Sequence, residues 1–178
     1  RHQHDVSPHD VAQRASQVRV VGASQQQRVD LGLDGRLEQS LREREEQYSS
    51  LIRNMPGVSF RCRIDDDWSM VFISDAVEAM TGWPPEAFIA KTVNFGDIIH
   101  PDDTARASDA VDLALAARRP YQVEYRIIRQ DGQERWVQDS GGFVYDEAGQ
   151  ARWIDGVIVD ITETQLRNAE YAAQVAAI

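Results

Sequence analysis

Between Tyr121 and Ile161 the chain reads as three consecutive strands with almost no slack between them. Tyr121, Val123, Tyr125 and Ile127 alternate with Gln122, Glu124 and Arg126, the two-residue period of a strand with one buried face. Asp131-Gly132 then signals a hairpin of type I′, in which both central residues hold positive φ. Glu134 to Tyr145 is the returning strand, and Asp146-Glu147-Ala148-Gly149 turns the chain again. In the last strand, Arg152 to Ile161, Trp153, Ile154, Val157, Ile158 and Val159 are apolar on both faces. A strand covered on both sides inside a sheet has that composition.

Two more strands stand upstream. Val58 to Ile64 and Met70 to Ile73 flank Asp65-Asp66-Asp67, an acidic turn, and together they read as a hairpin. Short helices follow. Asp75 with Glu78 has the spacing of a capping box, and Gly82 stands where a helix C-terminus places glycine. Pro84 and Pro85 open a second helix through Ile89, Asn94 to Ile99 forms a compact turn, and His100-Pro101-Asp102-Asp103 starts a longer helix with Ala107, Val111, Ala114 and Leu115 on its buried face. Acidic residues at that N-terminus suit the helix dipole.

An amphipathic helix precedes the strands, from Asp34 to Asn54. Leu37, Leu41, Tyr48, Leu51 and Ile52 fall near one face, and Arg42 to Glu46 cover the rest. So narrow a seam suits pairing with another helix, and Pro56-Gly57 ends it. Leu37, Leu41 and Tyr48 are the candidate dimer contacts, and the same helix is a candidate cover for the outer face of the sheet. After Asp160-Ile161-Thr162 the pattern becomes helical again, through Leu166, Ala169 and Ala173. The expected fold class is α+β: a five-stranded antiparallel sheet with short helices on one face, flanked by N- and C-terminal helices. The expected division is a linker or frayed tail over 1–33 with a short helix near Asp10 to Val18, the amphipathic helix over 34–55, the packed domain over 56–164, and an outgoing helix over 165–178.

Composition narrows the function. The 178 residues carry a formal net charge of −10, and Lys91 is the sole lysine. Nucleic acid needs clustered basic residues, and there is no basic stripe. Cys62 is the one cysteine, which excludes an intrachain disulfide and fits a reducing, cytoplasmic setting. No apolar run is long enough to span a bilayer. Arg1 in place of methionine and the end inside a helix at Ile178 read as cuts from a longer chain, which leaves a membrane anchor elsewhere in a parent protein open. His2, His4 and His9 invite a metal reading, but a polar tail gives them no fixed geometry. Asp65, Asp66 and Asp67 lack the glycine and spacing of a calcium loop. No catalytic nucleophile set assembles from so few histidines.

Four segments, in this order, resemble the PAS family of sensor domains in its PAS/PAC form: Phe72-Ile73-Ser74 with Thr81-Gly82-Trp83; Ile99-His100-Pro101-Asp102-Asp103; Glu124-Tyr125-Arg126 through Arg129-Gln130-Asp131-Gly132 to Arg135-Trp136-Val137; and Asp160-Ile161-Thr162-Glu163. The resemblance covers roughly Glu46 to Thr164. It implies a non-catalytic sensory domain that relays a ligand or partner signal to an output domain of the same chain, such as a histidine kinase, diguanylate cyclase, phosphodiesterase or chemoreceptor of a bacterial signalling protein. The Leu37, Leu41 and Tyr48 seam makes a homodimer the expected assembly. A ligand-free dimerisation or spacer module is the alternative.

The resemblance places an internal pocket between the sheet and the short helices from Asp75 to Ile99, with Phe60, Ile73, Phe88, Phe95, Ile98, Tyr125 and Ile158 as candidate lining residues. The bland alternative is that they simply fill the core. Asp160, Ile161 and Thr162 are the candidate signal-transfer residues, because a side chain there caps the outgoing helix and Asp160 can reach Arg126 or Arg135. No cofactor is assigned, and an unknown small molecule is open. Haem is disfavoured because His100, in a turn before Pro101, is the domain's sole histidine. A flavin photosensor is disfavoured because Cys62 stands on the first strand, in phase with Phe60 and Ile64, outside the family's flavin-reactive motif.

Overall fold

The structure is a computed structural model that describes residues 32–65 and 67–177. The helix expected near Asp10 to Val18, the histidines His2, His4 and His9, and Asp66 of the acidic turn lie outside the described residues. The chain divides into two units, residues 1–51 and 52–178, each described by itself. In the first, the long helix α1 (32–54 in full) carries Leu33, Leu37, Leu41, Tyr48 and Leu51, each more than half exposed.

In the second unit the elements run β1 (Val58–Arg63), β2 (Met70–Ile73), α2 (Ala76–Thr81), α3 (Pro85–Ile89), α4 (Phe95–Ile98), α5 (Pro101–Ala116), β3 (Tyr121–Ile128), β4 (Glu134–Tyr145), β5 (Ala151–Asp160) and α6 (Thr162–Ala176). The five strands make one sheet in the order β2-β1-β5-β4-β3, with every neighbouring pair antiparallel. β5 lies in the middle, as its double-sided apolar pattern requires, and the segment from Tyr121 to Asp160 forms three adjoining strands.

Alternation fixes which face is buried. Tyr121, Val123, Tyr125 and Ile127 of β3, Val137 of β4, Ile154 and Ile158 of β5, and Val58, Phe60 and Cys62 of β1 all point into one core. The helices close it with Val77 and Met80 of α2, Phe88 of α3, Phe95 and Ile98 of α4, and Ala107, Val111 and Ala114 of α5. One row across the sheet departs from this filling: Ile73, Phe60, Gly156, Gly141 and Tyr121 stand side by side. A Cβ on Gly156 would lie 2.5 Å from the Phe60 ring, and one on Gly141 would lie 2.6 Å from the Tyr121 ring. The two central strands give up their side chains so that the two flanking rings lie across the sheet.

Two local expectations are corrected. The Asp75–Glu78 capping box does not form: Asp75 has helical angles (φ −58°, ψ −23°) and its side chain caps nothing. From that geometry its carboxylate cannot reach the first free N–H groups. The Val77 and Glu78 N–H groups donate instead to the carbonyls of Ser74 and Asp75. The β3–β4 hairpin is not type I′ either, since only Gly132 has positive φ, at +84°. Arg129 N–H donates to Gln133 O, Gly132 N–H donates to Arg129 O, and the Asp131 carboxylate accepts from Gln133 N–H at 3.0 Å. This is the longer turn closed by a left-handed glycine, and Asp146 to Gln150 repeats it with Gly149 at +77°. At Gly82 (φ +87°) the expected glycine C-cap is present.

Candidate functional site

A cavity of about 60 Å³ lies between the sheet and the helices. Its sheet wall is Phe60, Cys62, Tyr121, Tyr125, Asp139 and Ile158. The turn before β2 and β2 itself add Trp68 and Met70, and the helical wall comes from α4 and α5 through Phe95, Gly96, Ala107, Ser108 and Val111. Trp68 holds a left-handed φ of +50°, a conformation that a bulky side chain rarely adopts. A larger hollow of about 1230 Å³ is an open trough over the other face of the sheet. Arg61 and Asp155, neighbours on β1 and β5, pair at 2.6 Å along its lining, and an open trough encloses nothing.

Of the residues expected to line a pocket, Phe60, Phe95, Tyr125 and Ile158 do so. Ile73, Phe88 and Ile98 are buried core side chains away from the cavity wall. The reason is the position of α5, whose residues Ala107, Ser108 and Val111 roof the void where α2 and α3 were expected to. Phe88 packs instead on Phe95, with ring centroids 5.9 Å apart.

Asp139 is the group the sequence reading missed. It occupies an inward slot of β4, between Val137 and Gly141 in phase, and is only 9% exposed. Tyr121 O–H donates to its Oδ1 at 3.1 Å and Tyr125 O–H donates to its Oδ2 at 2.9 Å. Burial pushes the carboxyl up to about 6 against the opposing pull of the two tyrosines. Burial and the neighbouring carboxylate also push both phenols up, so they remain donors. Cys62 beside them is pushed up to about 12, chiefly by burial, and so is a neutral thiol. A charged residue at a position the alternation assigns to the core was the visible signal.

The strand-to-helix junction is built around Trp136. The Thr162 hydroxyl accepts from Trp136 N–H at 2.9 Å, and Ile161 N–H donates to Trp136 O at 2.8 Å. Asp160 Oδ1 accepts from Thr162 N–H at 2.9 Å, and its other oxygen stands 4.0 Å from Arg135. Arg126 does not pair with Asp160; its guanidinium is taken by Asp103 at 2.9 and 3.0 Å, and its backbone N–H donates to the same carboxylate. The side-chain hydrogen bonds from Arg126 hold the Asp103 carboxyl well below the usual range. The Arg126 guanidinium also lies 5.6 Å from the centre of the Trp136 ring. His100 caps α5 by accepting from Asp102 N–H at 3.2 Å, and its Nε2 lies 3.3 Å from Glu134.

Among the described residues no group of acidic, histidine or cysteine side chains is arranged to hold a metal, and no helix is long and apolar enough to cross a membrane.

Comparison with known proteins adds a family. The chain is 28% identical over 120 residues to the methyl sulfide methyltransferase-associated sensor of Methanosarcina acetivorans, a match covering 67% of this chain and 12% of that protein. Across three curated relatives that the chain matches, it spans 8% to 13% of their length. Among solved structures, a sensory box histidine kinase/response regulator from Burkholderia thailandensis superposes with a TM-score of 0.57 at 24% identity, over 74% of this chain and 95% of that one. The N-terminal domain of a diguanylate cyclase with a PAS/PAC sensor from Marinobacter aquaeolei gives 0.54 at 19% identity, over 61% and 98%. The family model described as PAS fold matches residues 70–158. This chain belongs to the PAS fold family.

Proposed function

We propose that this domain senses what occupies the cavity beneath α4 and α5 and relays it through the Trp136 junction to α6. The observation that carries the reading is one continuous set of contacts. α5 supplies three cavity residues, and Asp103 at its start binds Arg126. Arg126 covers Trp136, and Trp136 holds Thr162 at the first turn of α6. A shift of α5 on ligand entry therefore bears on the anchor of the outgoing helix, as a change in the population of two arrangements. Asp160, Ile161 and Thr162 are the transfer residues. α6 leads to an output domain in the same parent chain, of the histidine kinase, cyclase or phosphodiesterase, or chemoreceptor type. Exposed Leu166, Tyr171 and Val175 on α6, with Leu37, Leu41 and Tyr48 on α1, support pairing of these helices with a second copy.

Hydrogen exchange of α6 is the test. Thr162→Val removes the side-chain tie to Trp136, leaving the backbone one from Ile161, and Ala107→Leu fills part of the cavity. Each is expected to change the protection of Thr162–Ala176 at least threefold while the sheet amides hold. Unchanged α6 protection in both folded variants would overturn the relay.

A second reading, a ligand-free dimerisation module, is favoured by one observation: a cavity of about 60 Å³ is far below the roughly 300–1,000 Å³ of ordinary ligand pockets. It expects dimers by sedimentation that no ligand alters.

A further inference from the structure

We infer that the cavity is a site for a small organic cation, an alkylammonium ion of about four heavy atoms, with Asp139 as its counter-ion. The inference rests on the reading of this cavity as the sensing site and names what it senses.

A carboxylate offers about four acceptor positions. The Tyr121 and Tyr125 hydroxyls occupy one on each oxygen of Asp139, which leaves two. Among the described residues, no arginine, lysine or histidine lines the cavity. An ionised carboxylate buried without a positive partner is costly, so above its titration range the site lacks a cation. The ionisable groups around it are Cys62 from β1 and Tyr121 and Tyr125 from β3. Of the helical wall, Phe95, Gly96, Ala107, Ser108 and Val111 do not titrate. None of these groups competes for the charge of Asp139.

The walls decide what kind of cation. A metal ion wants several oxygen ligands, and here the two hydroxyls already point their protons at the carboxylate. The remaining wall is uncharged, aliphatic residues such as Met70, Ile99 and Ile158 alternating with five rings, Phe60, Trp68, Phe95, Tyr121 and Tyr125. Aromatic faces attract organic ammonium ions, and more strongly when desolvated. Size sets the limit, since a void of about 60 Å³ at roughly 15 Å³ per water-sized group holds about four such groups. Methylammonium to trimethylammonium fits, and a polyamine does not.

The experiment is calorimetric titration of the chain at pH 7.5 with methyl-, dimethyl- and trimethylammonium chloride, with sodium chloride matching ionic strength and 2-propanol as a neutral ligand of similar size. The expected result is saturable binding by at least one ammonium ion and none by 2-propanol. Asp139→Asn, which keeps the shape and drops the charge, should weaken it at least tenfold. A second measurement needs no variant: in the unaltered chain the affinity should fall about tenfold per pH unit below about pH 6, as protons take the carboxylate. Absence of ammonium binding, equal binding by a folded Asp139→Asn, or affinity flat from pH 5 to 7.5 would each overturn the assignment. The relay reading fails separately, on α6 protection that ignores cavity filling.

Discussion

Replacing Asp139 by asparagine should change how the stability of this domain depends on pH, and the sign follows from burial. In the folded chain the Asp139 carboxyl is raised from 3.8 to about 6. Between those values the folded state keeps a proton that the unfolded state gives up. Stability from this group is therefore full below about pH 4 and is lost as pH rises through 6. Two units at about 1.4 kcal/mol each make this about 3 kcal/mol. A neutral amide carries no such penalty, so the Asp139→Asn variant should gain on the parent by about 3 kcal/mol between pH 4 and pH 7, then level off. Carboxyls held low in the fold, Asp103 first among them, act in both proteins with the opposite sign, and they cancel in the difference. Urea unfolding followed by tryptophan fluorescence in sodium acetate and phosphate, free of amine buffers, measures it. A difference that stays flat from pH 4 to 8, or that falls as pH rises, would refute the placement of a charged Asp139 inside the core.

Two further outcomes are expected. Gly156→Ala would set a Cβ 2.5 Å from the Phe60 ring and 2.8 Å from the Ser140 carbonyl, and because backbone cannot give way as a side chain can, the loss should be about 2–3 kcal/mol by urea unfolding. Asp103→Asn should cost about 2 kcal/mol at pH 7, as in a lost charge-assisted hydrogen bond, and progressively less as pH falls below about 4, because the depressed carboxyl stabilises fully only above its unfolded pKa and loses the last of its effect as pH falls through the folded one.

The strands were legible because a sheet with one buried face writes its period into the sequence. β3 alternates without exception, and β5 announces its central place by being apolar on both sides. Turn type was not legible from Asp131-Gly132 alone, since the hydrogen bonds that choose between hairpins depend on Gln133 and Arg129 across the turn. Asp75 was misread because a capping box requires an extended residue, and the backbone there already turns helically. The cavity was half legible. Which apolar side chains are buried follows from period, but which of them border a void depends on where α5 lies over the sheet. Asp139 broke the inward pattern of β4 in plain view, and the significance of a lone carboxylate in that slot emerges only once Tyr121 and Tyr125 converge on it from the neighbouring strand.

The order of the strands has a consequence for how the chain is made. β5 is the last strand synthesised, yet it fills the gap between β1 and β4, joining Val58 to Ile158 across a hundred positions of sequence. Until it emerges from the ribosome, the two hairpins share no ladder of hydrogen bonds, and β1 and β4 each present an open edge. The segment that joins them continues directly into α6, so the outgoing helix acquires its anchor in the same event that completes the sheet.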